Sequence, residues 1–309
     1  QTKRILIFGI NYAPELTGIG RYTGEMTEWF AENGFTCNVV TSFPYYPNWK
    51  IQKPYTGNFY RKEVMNDGRI NVYRCPLYVP GTPSGLKRMI HEFTFFVSAF
   101  FMTVYFLIKP KNDFIYCIAP PFHLGFLGLF YRFFKGGKII YHIQDLQIEA
   151  AKDLKIVKYD WVFKCLFAME AFILKRVDMI SSISGGMIQK IKNKTGRNVT
   201  LFPNWVDIDF FYPFEDKKSL KTDWGFHADD RIVLYSGSIG EKQGLSVLVD
   251  IANQLQSHPF IKLVICGNGP YKKKLEEYAK EKGVKNLFFM PLQENAVFNR
   301  FLNLADVHL

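Results

Sequence analysis

The sequence holds few of the residues that build metal centres or disulfide frameworks. Five cysteines and six histidines are scattered through 309 residues, with no C-x-x-C and no His pair at metal-ligand spacing. Neither a metal site nor a disulfide scaffold is written into that spacing. Cys37, Cys117 and Cys266 fall inside strand-like runs and read as small core residues. An odd, unpatterned set of cysteines suits a reducing compartment. No segment repeats at the roughly 20–50-residue spacing of solenoids, and no tract is of low complexity. No RNA- or DNA-binding signature occurs, which removes nucleic acid from the expected partners. The G-x-S-x-G of serine hydrolases is missing too, so Ser184, followed by two glycines, reads as a helix N-cap. A helix that crosses a bilayer needs about 20 apolar residues. The longest apolar run, residues 93–108, is shorter than that and is flanked by Lys87, Arg88, Lys109 and Lys111. It fits a helix packed across a sheet, an interfacial helix dipping into one leaflet, or, least well, a span.

What is present is apolar residue, aromatic residue and positive charge. Hydrophobic residues make up 48% of the chain, enough for two cores, and the length suits two domains. The net charge of +11 is unevenly placed. Residues 1–205 hold 26 basic and 14 acidic side chains, whereas the remainder hold 13 and 14. The basic half also carries most of the 30 phenylalanines. With no nucleic-acid signature, that combination points to an anionic membrane surface.

Short apolar runs at 4–9, 36–42, 70–77, 113–119, 138–143, 179–183 and 199–202 predict strands. Helical patterns at 20–33, 86–108, 122–134, 160–176 and 185–194 lie between them. This alternation predicts an α/β fold with a parallel sheet covered on both faces. Residues 203–230 lose the pattern and read as a connector. It restarts with strands at 232–236, 262–266 and 286–290 and helices at 245–257, 271–282 and 294–303. The expected organisation is a first domain over 1–204, a linker over 205–230 and a second domain over 231–309. With about three strands and a fourth beginning at Asp306, the second domain is expected to be incomplete in this chain.

Four stretches could carry chemistry. Residues 231–250 read as strand, glycine-punctuated loop and helix, with Leu245, Leu248, Val249 and Ala252 on one helical face. Gly237, Ser238, Gly240 and Gly244 let such a loop offer backbone N–H groups at a helix N-terminus, and Lys242 adds a mobile positive charge; together they suit a phosphate. Gly267, Asn268, Gly269 and Pro270 form a second glycine turn after a strand, placed to share a diphosphate and ribose. Pro291 and Leu292 are candidates for backbone contact with a base, and Glu294 either caps the next helix or bonds the ribose. After the first strand, Gly18 and Gly20 would let the backbone pass close to a diphosphate, or simply make the loop flexible. Asn11, Tyr12 and Glu15 in that loop could bond acceptor hydroxyls, or Glu15 is a solvated charge. His142 and Asp145 end a further strand. Either His142 is a core histidine satisfied by backbone with Asp145 a helix cap, or the two surround a transferring centre, His142 moving a proton and Asp145 orienting the acceptor.

Taken in order, these stretches resemble glycosyltransferase family 4. The resemblance rests on Gly18-Ile19-Gly20, Ser182-Ile183-Ser184, residues 202–207, residues 236–244, residues 266–270 and Leu304-Ala305-Asp306-Val307. Residues 11–22, 44–47 and 142–145 are similar to the exopolysaccharide, colanic-acid-type fucosyltransferase subgroup. The resemblance implies the GT-B architecture of two facing Rossmann-like, doubly wound domains. It implies transfer from a nucleotide-diphosphate sugar with retention of configuration, and no metal or other cofactor. It also implies a glycan or lipid-linked acceptor, and a cytoplasmic protein peripheral to the inner face of the membrane. Many members carry Arg where Ser238 stands and Lys where Gln243 stands; two glutamates of the family's donor site would follow Leu309. A nucleotide-sugar epimerase of the same architecture, or a non-catalytic sugar- or lipid-binding scaffold, are the alternatives.

Overall fold

The computed structural model describes residues 2–15, 18–55, 57, 59–153 and 159–309, without the side chains of Lys242 and Asn295. The chain divides into two units, Gln1–Trp205 and Val206–Leu309.

The first unit runs β1 (Arg4–Phe8), α1 (Gly18–Glu32), β2 (Thr36–Ser42), β3 (Arg61–Met65), β4 (Ile70–Cys75), α2 (Gly85–Leu107), β5 (Phe114–Ala119) and α3 (Leu124–Lys135). It continues through β6 (Lys138–Ile143), α4 (Gln147–Asp153), α5 (Asp160–Arg176), β7 (Met179–Ser182), α6 (Gly185–Thr195) and β8 (Thr200–Leu201). The sheet order is β3-β4-β2-β1-β5-β6-β7-β8. Every pair is parallel except β3 with β4. Alternation along β1 sends Leu6 and Phe8 into the core beneath α2, α3 and α5, and Ile5 and Ile7 into the core beneath α1. Helix α6 starts where the sequence placed its cap: Ser184 Oγ accepts the Met187 N–H at 3.4 Å, and Gly196 closes the helix at φ +66°.

Strand β3 was not legible in the sequence. It is an edge strand exposed on both faces, so no buried side imposes an alternating pattern. Arg74 attaches it. This fully buried guanidinium bonds the Glu63 carboxylate of β3 (3.1 and 3.2 Å), the Ser42 carbonyl (3.1 Å) and the Ala13 carbonyl (2.7 Å). Helix α4 was also unforeseen; it is short and follows directly on the β6 loop.

The second unit begins earlier than the alternation suggested. Residues 206–230 are part of its packing, not a free connector. Asp216 caps α7 (Lys217–Asp223) by accepting the Lys218 and Ser219 N–H groups at 3.0 and 3.3 Å. Phe214, Leu220 and Phe226 join the core of this unit. Trp205, placed at the start of the linker by the sequence, belongs to the first unit, where its Nε1 donates to Glu25 at 2.6 Å. The remaining elements are β9 (Arg231–Ser236), α8 (Ser246–Gln254), β10 (Ile261–Cys266), α9 (Lys272–Glu281), β11 (Leu287–Met290), α10 (Asn295–Leu302) and β12 (Val307–His308). Their sheet is parallel, in the order β11-β10-β9-β12.

Removing one member of a buried ion pair strands the other, at about 3–5 kcal/mol. Arg74→Ala is therefore expected to lower unfolding free energy by about that amount, read from denaturant midpoints. Arg61→Ala, on the exposed edge strand β3, should change it by less than about 1 kcal/mol.

Candidate active site

In each sheet the chain winds outward from its first strand in one direction, then returns to start in the other. The reversal lies between β1 and β5 in the first unit, and between β9 and β12 in the second. Open parallel sheets bind ligands at such a point, beyond the carboxyl ends of the strands.

In the second unit the register fixes the site. Ser236 pairs with Cys266, and Cys266 with Met290, so the three following loops leave the sheet side by side. The two glycine loops are interlocked at Ile239. Its N–H donates to the Asn268 carbonyl (2.9 Å) and its carbonyl accepts the Tyr271 N–H (3.1 Å), while its side chain is wholly buried. The approach is so close that a Cβ at Gly267 would strike the Gly237 carbonyl oxygen, and one at Gly269 the Ile239 carbonyl oxygen.

The N–H groups of Gly237, Gly267 and Gly269 are consequently already used. They donate to the Cys266 carbonyl, the Met290 carbonyl and the Asn268 Oδ1 at 3.0, 3.3 and 2.9 Å. These glycines shape the loops; they are not the free donors the sequence suggested. Ser238 is exposed, with its carbonyl held by the Tyr235 hydroxyl at 2.8 Å. A Cβ at Gly240 would lie 2.7 Å from Gln243 Oε1. Gly244 closes the turn Glu241–Gln243 at φ +63°, just before α8. The Lys242 side chain lies outside the described residues. Asn268 and Pro270 are exposed at the rim beside Gly269, and Pro291 and Leu292 are exposed beyond β11. Glu294 occupies the N-cap position of α10, but its side chain makes no cap bond. Ile239 is the residue the sequence reading missed; its signal is a lone large aliphatic inside a Gly/Ser loop.

In the first unit the loop after β1 differs from expectation. Glu15 is neither a sugar ligand nor a solvated charge. It is buried, one oxygen accepting the Tyr45 and Tyr46 N–H groups (3.0 and 2.9 Å), the other the Asn11 amide (2.8 Å). Burial pushes its carboxyl up from the usual range, and those donors partly offset it. Tyr12 is likewise buried, its ring 5.7 Å from the Arg74 guanidinium, and burial raises its phenol. Gly20 exists for this packing: a Cβ there would sit 2.6 Å from Glu15 Oε2. Of the three proposed acceptor ligands only Asn11 stays partly exposed. Gly18 is exposed at φ +64°, next to Leu16 and Thr17, which lie outside the described residues.

His142 is the penultimate residue of β6, in a buried position. Its partner is a side chain, not backbone: Nδ1 is 3.0 Å from Ser181 Oγ on β7. The Phe202 ring meets it edge-on at 5.4 Å. Burial holds its pKa down to about 4, so the imidazole is neutral at pH 7. It lines a depression with Tyr22, Thr23, Gln144, Asn204 and Trp205. Asp145 is exposed three residues on, at the same edge. A neutral imidazole is a group able to pass a proton, and an exposed carboxylate one able to accept from a hydroxyl. Among the described residues, no group of three His, Cys, Asp or Glu could hold a metal ion.

Two outcomes follow. Gly267→Ala or Gly269→Ala should destabilise the protein by about 1–3 kcal/mol through the forced separation of the loops, read from denaturant midpoints. Between about pH 6.5 and pH 4 the unfolded chain binds a proton at His142 that the folded chain refuses. Stability is lost as pH falls through that window, and His142→Gln should lose less of it than the parent.

Comparison with known proteins agrees with this geometry. Residues 17–205 match the family model of the glycosyl transferase 4-like domain, and residues 216–309 that of glycosyl transferases group 1. The chain is 38% identical to WcaI of Escherichia coli (strain K12), named as a colanic acid biosynthesis glycosyl transferase, across 99% of this chain and 76% of that protein. Its fold is shared with sucrose-phosphate synthase from Thermosynechococcus elongatus (TM-score 0.75, 16% identity, 99% of this chain, 74% of that one). It is also shared with Anabaena Alr3699/HepE, solved in complex with UDP-glucose (0.64, 13%, 99% and 72%). A third is WaaG, a glycosyltransferase involved in lipopolysaccharide biosynthesis (0.64, 12%, 98% and 74%). The epimerase reading finds no support in these matches. Two Rossmann-like units, each with its loops at a reversal point, are the parts of a GT-B enzyme, and the chain belongs to family 4 of the glycosyltransferases, in its exopolysaccharide-type branch.

Proposed function

We propose that the protein is a retaining glycosyltransferase of hexosyltransferase type that uses a nucleotide-diphosphate sugar and needs no metal. The acceptor is a glycan, most simply a lipid-linked one, in bacterial exopolysaccharide, capsule or O-antigen synthesis. The work is done by a cytoplasmic protein peripheral to the inner face of the membrane. The observation that carries this reading is the interlocked pair of glycine loops at the carboxyl edge of β9 and β10, opening on the start of α8. Helix-opening amides and the helix dipole favour the charge that grows on a departing diphosphate, which is electrostatic catalysis without a cation. UDP-glucose in Alr3699/HepE and the name of WcaI support the donor class and the pathway class.

In the first unit, neutral His142 bonds a hydroxyl of the reacting sugars or relays its proton, and Asp145 orients the acceptor hydroxyl. His142→Gln and Asp145→Asn should each lower kcat by about 10²–10⁴-fold. The test uses full-length protein, radiolabelled UDP- and GDP-sugars, and a membrane extract. Label passing into extractable lipid, at the same rate in EDTA and with the donor's anomeric configuration by NMR, is the expected result. Epimerised free sugar nucleotide, or tight binding with no turnover in any combination, would overturn it.

A further inference from the structure

The outer side of the layer formed by α2, α3 and α5 is apolar where a water-facing layer would be polar. Along α2 and its C-cap, Leu86, Phe93, Val97, Phe101, Val104 and Ile108 recur every three to seven residues on one stripe, and all are exposed. Phe93 is 63% exposed, Phe101 62% and Ile108 82%. By length and composition this 23-residue helix could cross a membrane. Its other side forbids that. Phe95, Ala99 and Phe106 are in the core, His91 bonds the Tyr78 carbonyl at 2.5 Å, and Ser98 bonds the Pro76 carbonyl at 2.7 Å.

The apolar surface continues sideways. Phe100 meets Phe130 of α3 at 5.0 Å, and α3 ends in exposed Phe133 and Phe134. Phe126 of α3 meets Phe172 of α5 at 6.0 Å, and Phe172 and Trp161 on α5 are exposed. Contiguous apolar surface of this extent marks an interaction site.

Positive charge frames it. Lys87 and Arg88 stand at the start of α2, Lys109 and Lys111 beyond its end, Lys135 at the end of α3, and Lys175 and Arg176 at the end of α5. The acids on these helices are mostly engaged: Glu92 with Gln147 and Glu170 with Lys194. The Arg176 guanidinium lies over the Phe172 ring at 3.5 Å, and the Lys109 ammonium over Tyr105 at 4.7 Å. These cations sit beside aromatic rings, as side chains do at the boundary between headgroups and acyl chains.

We infer that the α2–α3–α5 layer is a monotopic docking surface for an anionic lipid leaflet, with the helix axes lying in the bilayer plane. The basic frame selects lipid over a second copy of this chain, whose identical frame would repel it. An orientation follows. These helices run back along the parallel strands they cover, so the bilayer lies parallel to the first sheet. The carboxyl edge with His142 and Asp145 then opens sideways, along the membrane surface. Only this last step rests on the proposed lipid-linked acceptor, which would reach the edge by lateral diffusion.

The test is flotation of the full-length protein with phosphatidylcholine vesicles and with vesicles enriched in phosphatidylglycerol. Binding is expected only to the anionic set. Phe93→Ser/Phe101→Ser/Ile108→Ser should weaken it by about tenfold or more without moving the denaturant midpoint. Replacing Lys87, Arg88, Lys109 and Lys111 with Gln should abolish the lipid preference. In Phe101→Trp, brominated acyl chains should quench the added fluorescence. Flotation unchanged by the triple Ser variant, no quenching, or a soluble dimer that the triple variant dissociates with no vesicle binding would each overturn the inference. Protein that floats as expected but transfers no sugar would refute the proposed function and leave the docking surface standing. Protein that transfers sugar without floating would refute the docking surface and the peripheral placement and leave the transfer reaction standing.

Discussion

Parallel pairing is the constraint on which the rest of this protein depends. All strand pairs except β3 with β4 point the same way. Each strand must therefore be followed by a loop at one edge and a return through a helix or connector. In the first unit His142 and Asp145 lie at that edge, and in the second unit the turns at 237–244 and 267–270 do. In the second unit the same constraint becomes quantitative through register. Aligning Ser236 with Cys266 brings two turns out so close together that only glycine fits at 267 and 269.

Packing, more than ligand contact, explains many of the residues that look chemical. Glu15 is a buried carboxylate that holds the loop through Tyr45 and Tyr46 by their N–H groups, and Gly20 is small to make room for it. Arg74 does the same for an edge strand, the end of β2 and the Ala13 carbonyl of the loop after β1. A charge held this way is costly to bury and more costly to leave unpaired. Both groups bond the loop that follows β1, Glu15 through Asn11 and Arg74 through the Ala13 carbonyl. His142 is likewise buried, and burial keeps its imidazole neutral.

The helical layer divides its labour between its two sides. Inward, α2, α3 and α5 complete the larger core of the first unit. Outward, they carry aromatic surface and cations instead of the mixed charges of a solvated face. A sheet that gathers its loops at one edge leaves its helical faces free for such a use, so catalysis and docking need not compete for the same residues.

Period and punctuation in the sequence determined the α/β alternation, most strand and helix positions, the Ser184 cap and the core cysteines, because buried strands and amphipathic helices must repeat at 2 and 3.6 residues; the family was legible separately, from the resemblance of its motifs. The glycine turns were also legible as turns. Their use was not: that Gly237 and Gly267 spend their N–H groups on the ends of the neighbouring strands β10 and β11 depends on strand register, which no local pattern records. The packing of residues 206–230 was hidden because its partners are far away in sequence, and strand β3 because exposure on both faces leaves it no alternating pattern. That Glu15, Tyr12 and His142 are buried was decided only in the folded chain, where desolvation and the nearest donor, not residue type, set what a polar side chain can do.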